Sequence, residues 1–295
     1  MNTDHINPER EHLAQVIEAH GDHRVLRRVP EPFSPLRGSG PMPEGRCLAI
    51  VDTETSGLDP ETDTIIELAI MLVFVADDGK VVGQLGPFSW LQDPGVPLDP
   101  KISLVTGLGA QHLKGQQIND RFALNLLDRA DLIVAHNAAF DAGFIERRYP
   151  QIACRAWACS CSEIDWLLLG CEGRAQQHLL MQHGWFSGAH RAAADVWSLF
   201  WLLQHRRRDR DGTERSHLAR LITASDRPGV MVQAERSPFR AKARLKARGY
   251  RWNADQRLWQ IERPEDLVEH ELAWAYRNGL PEPTTRPITA CERHR

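Results

Sequence analysis

The chain has 295 residues, a formal net charge of −3, 42% hydrophobic residues and 25% charged residues. That balance belongs to a globular protein with room for one large domain, or a medium domain and a small one. It excludes a global basic field, although local charge outweighs the sum. The polar start, MNTDHINPEREH, carries no apolar targeting core, and the longest apolar run, residues 68–76, is too short for a bilayer. These features predict a cytoplasmic protein with no membrane partner. Six cysteines are too few for a disulfide scaffold and read as reduced thiols.

Residues 7–20 predict a helix, capped by Asn7, opened by Pro8 and striped by Leu13, Val16 and Ile17. An apolar patch at Val25 and Leu26 precedes EPFSPLRGSGPMPEG, whose Pro and Gly content reads as a linker; residues 1–45 form an N-terminal extension. Strands are predicted over 48–54, 64–75 and 81–91, with turns at Asp77-Asp78-Gly79 and Asp93-Pro94-Gly95. A strand over 132–136, a helix over 139–148, a short strand near 155–160 and further helices ending at 191–206 follow. A meander followed by alternating helices and strands argues for a mixed sheet with helices on its faces. Residues 208–226 are charged and read as a linker. Beyond them, 227–281 predicts a small basic α+β module with a strand over 230–235, a helix over 238–248, a hairpin joining 250–252 to 258–262 and a helix over 264–278. The tail 282–295 is expected to be mobile.

Four acids sit in or beside these apolar elements. Asp52 and Glu54 alternate onto one face at the end of the strand LAIVDTE. Asp141 lies in the first turn of a helix, beside its apolar stripe. Asp195 continues the stripe of Leu199 and Leu202. His190 falls five residues before Asp195, too far round to share a helical face, and fits the turn before that helix. Each has a bland alternative: a helix-dipole role for Asp141, an ion pair with Arg191 for Asp195, solvation at a loop for the Asp52/Glu54 pair, and a structural role for the histidine. Together the acids have one economical explanation, two divalent cations. Hard cations take oxygen ligands, and a pair of them suits in-line phosphoryl displacement, with a nearby histidine taking a proton from water.

Asp-Thr-Glu-Thr-Ser-Gly-Leu at 52–58, His-Asn-Ala-Ala-Phe-Asp at 136–141 and His190-x4-Asp195 resemble, in order and spacing, the three motifs of the DEDDh 3′→5′ exonucleases. That group includes the epsilon subunit of bacterial DNA polymerase III and ribonuclease T. The resemblance covers roughly residues 46–207. It implies a ribonuclease H-like fold and release of nucleoside monophosphates from the 3′ end of DNA, single-stranded or frayed. It further implies Asp52, Glu54, Asp141 and Asp195 as ligands of two Mg²⁺ or Mn²⁺ ions, with His190 as general base. Thr53 and Leu58 would meet the terminal nucleotide, and Asn137 the substrate strand. One departure stands in TGLGAQHL, where Gly109 occupies a helix-capping place often held by Thr or Ser. No clamp-binding peptide or polymerase-binding tail of the epsilon type accompanies the motifs, so they do not by themselves support replicative proofreading.

Two further groups need weighing. Cys159, Cys161, Cys171, His178 and His183 lack paired Cys-x2-Cys spacing, and small packing residues are preferred to a zinc site. In RSPFRAKARLKARGYRW, Arg240, Arg244 and Arg248 align at four-residue spacing with Lys242 and Lys246 beside them, and Tyr250, Trp252 and Trp259 offer stacking surfaces. This suggests a nucleic-acid contact; a solvated basic face over an aromatic core is the equal alternative. RNA as the substrate, and a catalytically silent nucleic-acid-binding scaffold, are the rival functions.

Overall fold

The computed structural model describes residues 7–32, 43–188 and 190–294. The predicted linker over 31–45 lies largely outside them. The chain divides into two compact units, one reaching Ala224 and one spanning Ser225–Arg293.

The first unit begins with α1 (Pro8–Glu18), whose cap Asn7 accepts from the N–H groups of Glu9 and Arg10. β1 (Arg27–Arg28) follows. Then come β2 (Arg46–Thr55), β3 (Ile65–Val75) and β4 (Val81–Leu91), and the short helices α2 (Pro100–Thr106), α3 (Ala110–Leu113) and α4 (Asp120–Asp128). At the start of α3 the Gly109 N–H donates to the ring of His112, the reach-back half of a capping box, while glycine supplies no side-chain cap of its own. The unit continues with β5 (Leu132–Ala135), α5 (Ala138–Arg148), β6 (Trp157–Cys159), α6 (Gln176–Gln182), β7 (Trp185–Phe186) and α7 (Ala192–Gln204).

The central sheet has the order β4-β3-β2-β5-β6. β2, β3 and β4 pair antiparallel, and β5 and β6 add parallel to β2. This is the mixed α/β, ribonuclease H-like arrangement read from the sequence. β3 is buried at every position, as a central strand covered on both faces must be. One face packs Leu48, Ile50, Met71 and Val73 against α7 residues such as Val196, Leu199 and Leu203. The other packs Ala49, Val51, Ile70 and Leu72 against Leu126 and Leu127 of α4 and Phe144 and Ile145 of α5. Alternation along β2 therefore decides which residues face α7.

Residues 208–226 are not a linker. β8 (Arg206–Arg208) and β9 (Glu214–Ser216) form a hairpin, and α8 (His217–Asp226) follows. The charges that suggested a linker are largely paired across the hairpin, with Arg206 on Glu214 and both Arg215 and Arg220 on Asp209. Leu218 and Leu221 are buried in the same cluster as α7.

The second unit holds β10 (Gly229–Ala234), α9 (Lys242–Arg248), β11 (Arg251–Asn253), β12 (Leu258–Pro264), α10 (Val268–Arg277) and β13 (Thr284–Ile288). Its sheet runs β11-β12-β10-β13. The expected mobile tail is thus corrected: residues 284–288 pair antiparallel with β10. Pro287 is tolerated because β13 is an edge strand.

Candidate active site

Leu48 and Ile50 face α7, and the same alternation carries Asp52 and Glu54 onto that side at the strand end. Thr53, on the opposite face, is buried. The loop TSGLDP that follows wraps around Asp63, whose carboxylate accepts from Ser56 Oγ at 3.2 Å and from the Asp59 N–H at 3.0 Å. A Cβ on Gly57 would stand 2.3 Å from that carboxylate, so a larger residue would push Asp63 off these bonds. The loop turns Leu58 outward, 82% exposed.

β5 pairs with β2 only at Leu48–Ile50, leaving the Thr53 N–H without a strand partner. Asp141, in the first turn of α5, supplies one. Its Oδ1 accepts from the Thr53 N–H at 3.0 Å and from Thr53 Oγ at 2.9 Å. Both donors of Thr53 are therefore engaged by Asp141, so this residue positions that carboxylate. Asn137, exposed at φ 139°, joins β5 to α5. The preceding His136 donates from Nε2 to the Arg174 carbonyl at 2.7 Å and meets Ser160 Oγ at 2.8 Å through Nδ1. Burial lowers its pKa. A neutral ring satisfies both contacts if Ser160 donates to Nδ1.

Asp195 lies in the first turn of α7. Its Oδ2 accepts from the His190 N–H at 2.8 Å, and its Oδ1 from Gln177 Nε2 at 3.2 Å. His190 sits in the turn ahead of the helix at φ 63°, with an exposed side chain.

These elements bring Asp52, Glu54 and Asp195 into one cluster, with carboxylate oxygens that all lie within 4.8 Å of one another. Asp141 stands outside that trio but close enough to act on Asp52. Asp52 is pushed well above the usual carboxylate range by burial first, then by Asp141, Asp195 and Glu54. Burial, with Asp195 and Glu67 nearby, raises Glu54 to about 7. Burial raises Asp141 to about 7 against the opposing pull of the Thr53 bonds. Burial also raises Asp195, opposed by the His190 and Gln177 donors.

The nearby cation is Arg191, and it is committed elsewhere. Its Nε and Nη2 lie 3.0 and 3.2 Å from the two oxygens of Glu67. The alternative reading, an Arg191–Asp195 pair, gives way to this one. Glu67 and Gln177 are the residues missed in the sequence, and Arg191 was assigned the wrong partner there. The signal for Glu67 was present, as a lone acid within the apolar run of β3. A set of crowded hard-oxygen donors without positive charge of its own suits a divalent cation.

In the second unit, Arg240, Lys242, Arg244 and Lys246 are exposed and make no ion pair among the described residues, and Trp252 is 52% exposed. Arg248 does not join that face. Its guanidinium lies 3.0–3.2 Å from Glu271, which is buried, and 5.2 Å over the Trp274 ring. Tyr250 and Trp259 are buried, so neither offers a stacking surface.

The sequence profile of the RNase T exonuclease family matches residues 49–197, half of the chain. The chain belongs to this exonuclease family. It is similar to the PolC-type DNA polymerase III of Listeria monocytogenes, 33% identical over 111 residues that make up 37% of this chain and 7% of that protein. It is also similar to the PolC-type polymerase of Streptococcus pyogenes, 31% identical over 129 residues, or 43% of this chain and 8% of that one. The aligned part thus spans less than a tenth of these relatives. Among solved structures, exonuclease X in complex with 5′-overhanging duplex DNA aligns with a TM-score of 0.39 and 25% identity, covering 52% of this chain and 86% of that one. E. coli exonuclease I in complex with a dA16 oligonucleotide aligns with a TM-score of 0.43 and 17% identity, covering 63% and 48%. No helix among the described residues is long and apolar enough to cross a membrane.

Proposed function

We propose that the chain is a metal-dependent 3′→5′ exonuclease that releases nucleoside monophosphates from DNA ends. The observation that carries this reading is the cluster of Asp52, Glu54 and Asp195 on the α7 face of a buried strand end, with every carboxyl raised and the neighbouring arginine already paired. Asp52, Glu54 and Asp195 would hold divalent cations, a pair of Mg²⁺ or Mn²⁺, with Asp141 completing the set. Bound there, such cations neutralise the acids and supply Lewis-acid stabilisation to a phosphodiester. His190, exposed and bonded through its N–H to Asp195, would take the proton of the attacking water. Gln177 and the His190 N–H hold the Asp195 carboxylate in place, and Thr53 holds that of Asp141. Leu58 projects into solvent and is suited to pack on the terminal nucleotide, and the exposed Asn137 would contact the substrate strand.

DNA is favoured over RNA because the PolC-type relatives are DNA polymerases by name. The exposed face of Arg240, Lys242, Arg244 and Lys246, with Trp252, supplies phosphate and stacking contacts to the same polymer. A silent scaffold would need none of the clustered acids.

The test offers 5′-labelled single-stranded DNA, duplex DNA and RNA to the full chain with Mg²⁺, Mn²⁺ or chelator. Stepwise shortening of DNA that needs the metal and is lost in Asp52→Asn supports the reading. Shortening of RNA alone selects the ribonuclease, and no shortening of any substrate selects the scaffold. Replacing Arg240, Lys242, Arg244 and Lys246 by Gln should weaken DNA binding and flatten its salt dependence. Unchanged affinity and slope would return that face to a solvated surface.

A further inference from the structure

We infer that Glu67 and Arg191 act together as a brace that sets the position of His190. This inference rests on the exonuclease reading above. Glu67 lies opposite Glu54 in the β2–β3 register, on the face that α7 covers, and is 1% exposed. An acid buried that deeply needs a partner, and Arg191 provides a two-point one. The same carboxylate also accepts from the Ala192 N–H at 3.3 Å.

Arg191 occupies the N-cap position of α7 but supplies no side-chain cap. Glu67 therefore caps the helix from a neighbouring strand, satisfying a first-turn donor that the helix leaves open. Both of its oxygens are paired with the Arg191 guanidinium. His190 is the next residue back, and it holds φ 63°, a conformation that non-glycine residues adopt only when their surroundings impose it. The His190 N–H is fixed on Asp195, one turn into the helix. The backbone from His190 to Asp195 is thus held at Asp195 by His190 and at Arg191 and Ala192 by Glu67. Loss of the second hold frees the histidine while leaving the acids on β2 in place.

The test compares wild type, Arg191→Lys, and the paired Glu67→Leu/Arg191→Met, which strands no buried charge. Each is made with and without His190→Ala. Metal-free protein is followed by amide exchange, and the full chain by release of mononucleotides from single-stranded DNA with Mg²⁺. In the paired variant, Ala192 should exchange about tenfold faster or more, while Ala142 in α5 is unchanged. The kcat should fall about tenfold or more, with KM and the Mg²⁺ needed for half-activation held within about twofold. The paired variant should add no further loss to His190→Ala. Arg191→Lys keeps the charge without the fork and should fall between.

Losses that add to those of His190→Ala, or a raised Mg²⁺ requirement, would overturn the brace. So would unchanged exchange at Ala192, which decides the matter even in a protein without turnover. A wild type that releases no mononucleotide would sink the exonuclease reading instead, and the two failures are distinct.

Discussion

Replacing Asp141 by Asn should make the metal-free protein more stable while ending its activity. The amide keeps an oxygen for the Thr53 N–H and hydroxyl and removes only the charge. Burial holds the Asp141 carboxyl at about 7 in the folded chain, against about 3.9 in an unfolded one. A folded carboxyl raised in this way contributes stability that is full below about pH 4 and is lost as the pH rises through about 7. Above that point the folded chain carries the charge at a cost of about 4 kcal/mol, taking 1.36 kcal/mol per pH unit. Water reaching the strand end relieves part of it, so a gain of about 2–4 kcal/mol is expected at pH 8. For a unit of this size that is a rise in Tm of about 5–10 °C. The assay is thermal or denaturant unfolding in excess chelator at pH 8 and pH 5, with mononucleotide release measured in Mg²⁺. The gain should shrink to about 1–1.5 kcal/mol at pH 5, where only the unfolded carboxyl is ionised, and toward zero below about pH 4, where both states are protonated. A variant no more stable than wild type at pH 8, or a gain of equal size at pH 5, would refute the account of the site as an uncompensated acid cluster.

Three other outcomes follow from the packing. Leu221→Ala should cost about 2–5 kcal/mol by urea unfolding, because its side chain is wholly buried against α7; a loss under about 0.5 kcal/mol would restore residues 208–226 to a linker. Arg248→Gln should lower stability by about 1–3 kcal/mol, since the buried Glu271 loses one of its two paired arginines, whereas Arg244→Gln should stay within about 0.5 kcal/mol; equal effects would put Arg248 back on the open basic face. His183, His205 and His217 are packed together, with His183 Nε2 and His217 Nε2 2.9 Å apart, and burial lowers all three, His205 to about 4. Below about pH 6.5 the unfolded chain takes protons that the folded one refuses, so stability is lost as the pH falls. The difference in unfolding free energy between wild type and His217→Gln should therefore narrow by about 1 kcal/mol from pH 7 to 5.5; a constant difference would show that His217 takes its proton within the fold.

Local pattern carried much of this structure. The acids at the end of β2 were visible because an apolar strand has no use for them, and Asp141 and Asp195 because each interrupts an apolar stripe. What local pattern could not carry was pairing across the sheet. Arg191 lies four residues before Asp195, and only the β2–β3 register shows that Glu67 claims it. Thr53 reads as a neighbour of the reacting groups, but the early end of β5 commits its donors to Asp141. In the second unit, Arg248 continues a four-residue basic spacing along the helix, and it is the buried Glu271 on α10 that withdraws it. The charged run after Arg206 hid a hairpin because its salt bridges close only once the strands pair.

The pairing of β1 beside β7 bears on how this catalytic core can be cut and moved. Arg27 and Arg28 run parallel to Trp185 and Phe186, Val29 is buried with the α7 residues, and the Pro30 carbonyl accepts from Trp197 Nε1 at 2.7 Å. Arg27, Arg28, Val29 and Pro30 lie outside residues 49–197, and so do Leu218 and Leu221. A fragment trimmed to the family's borders would strip Trp185 of its strand partner Arg27 and the Trp197 indole of its bond to the Pro30 carbonyl. The stretch recognisable by ancestry and the stretch that folds are different lengths of this chain, and a graft of the nuclease onto another protein should follow the second.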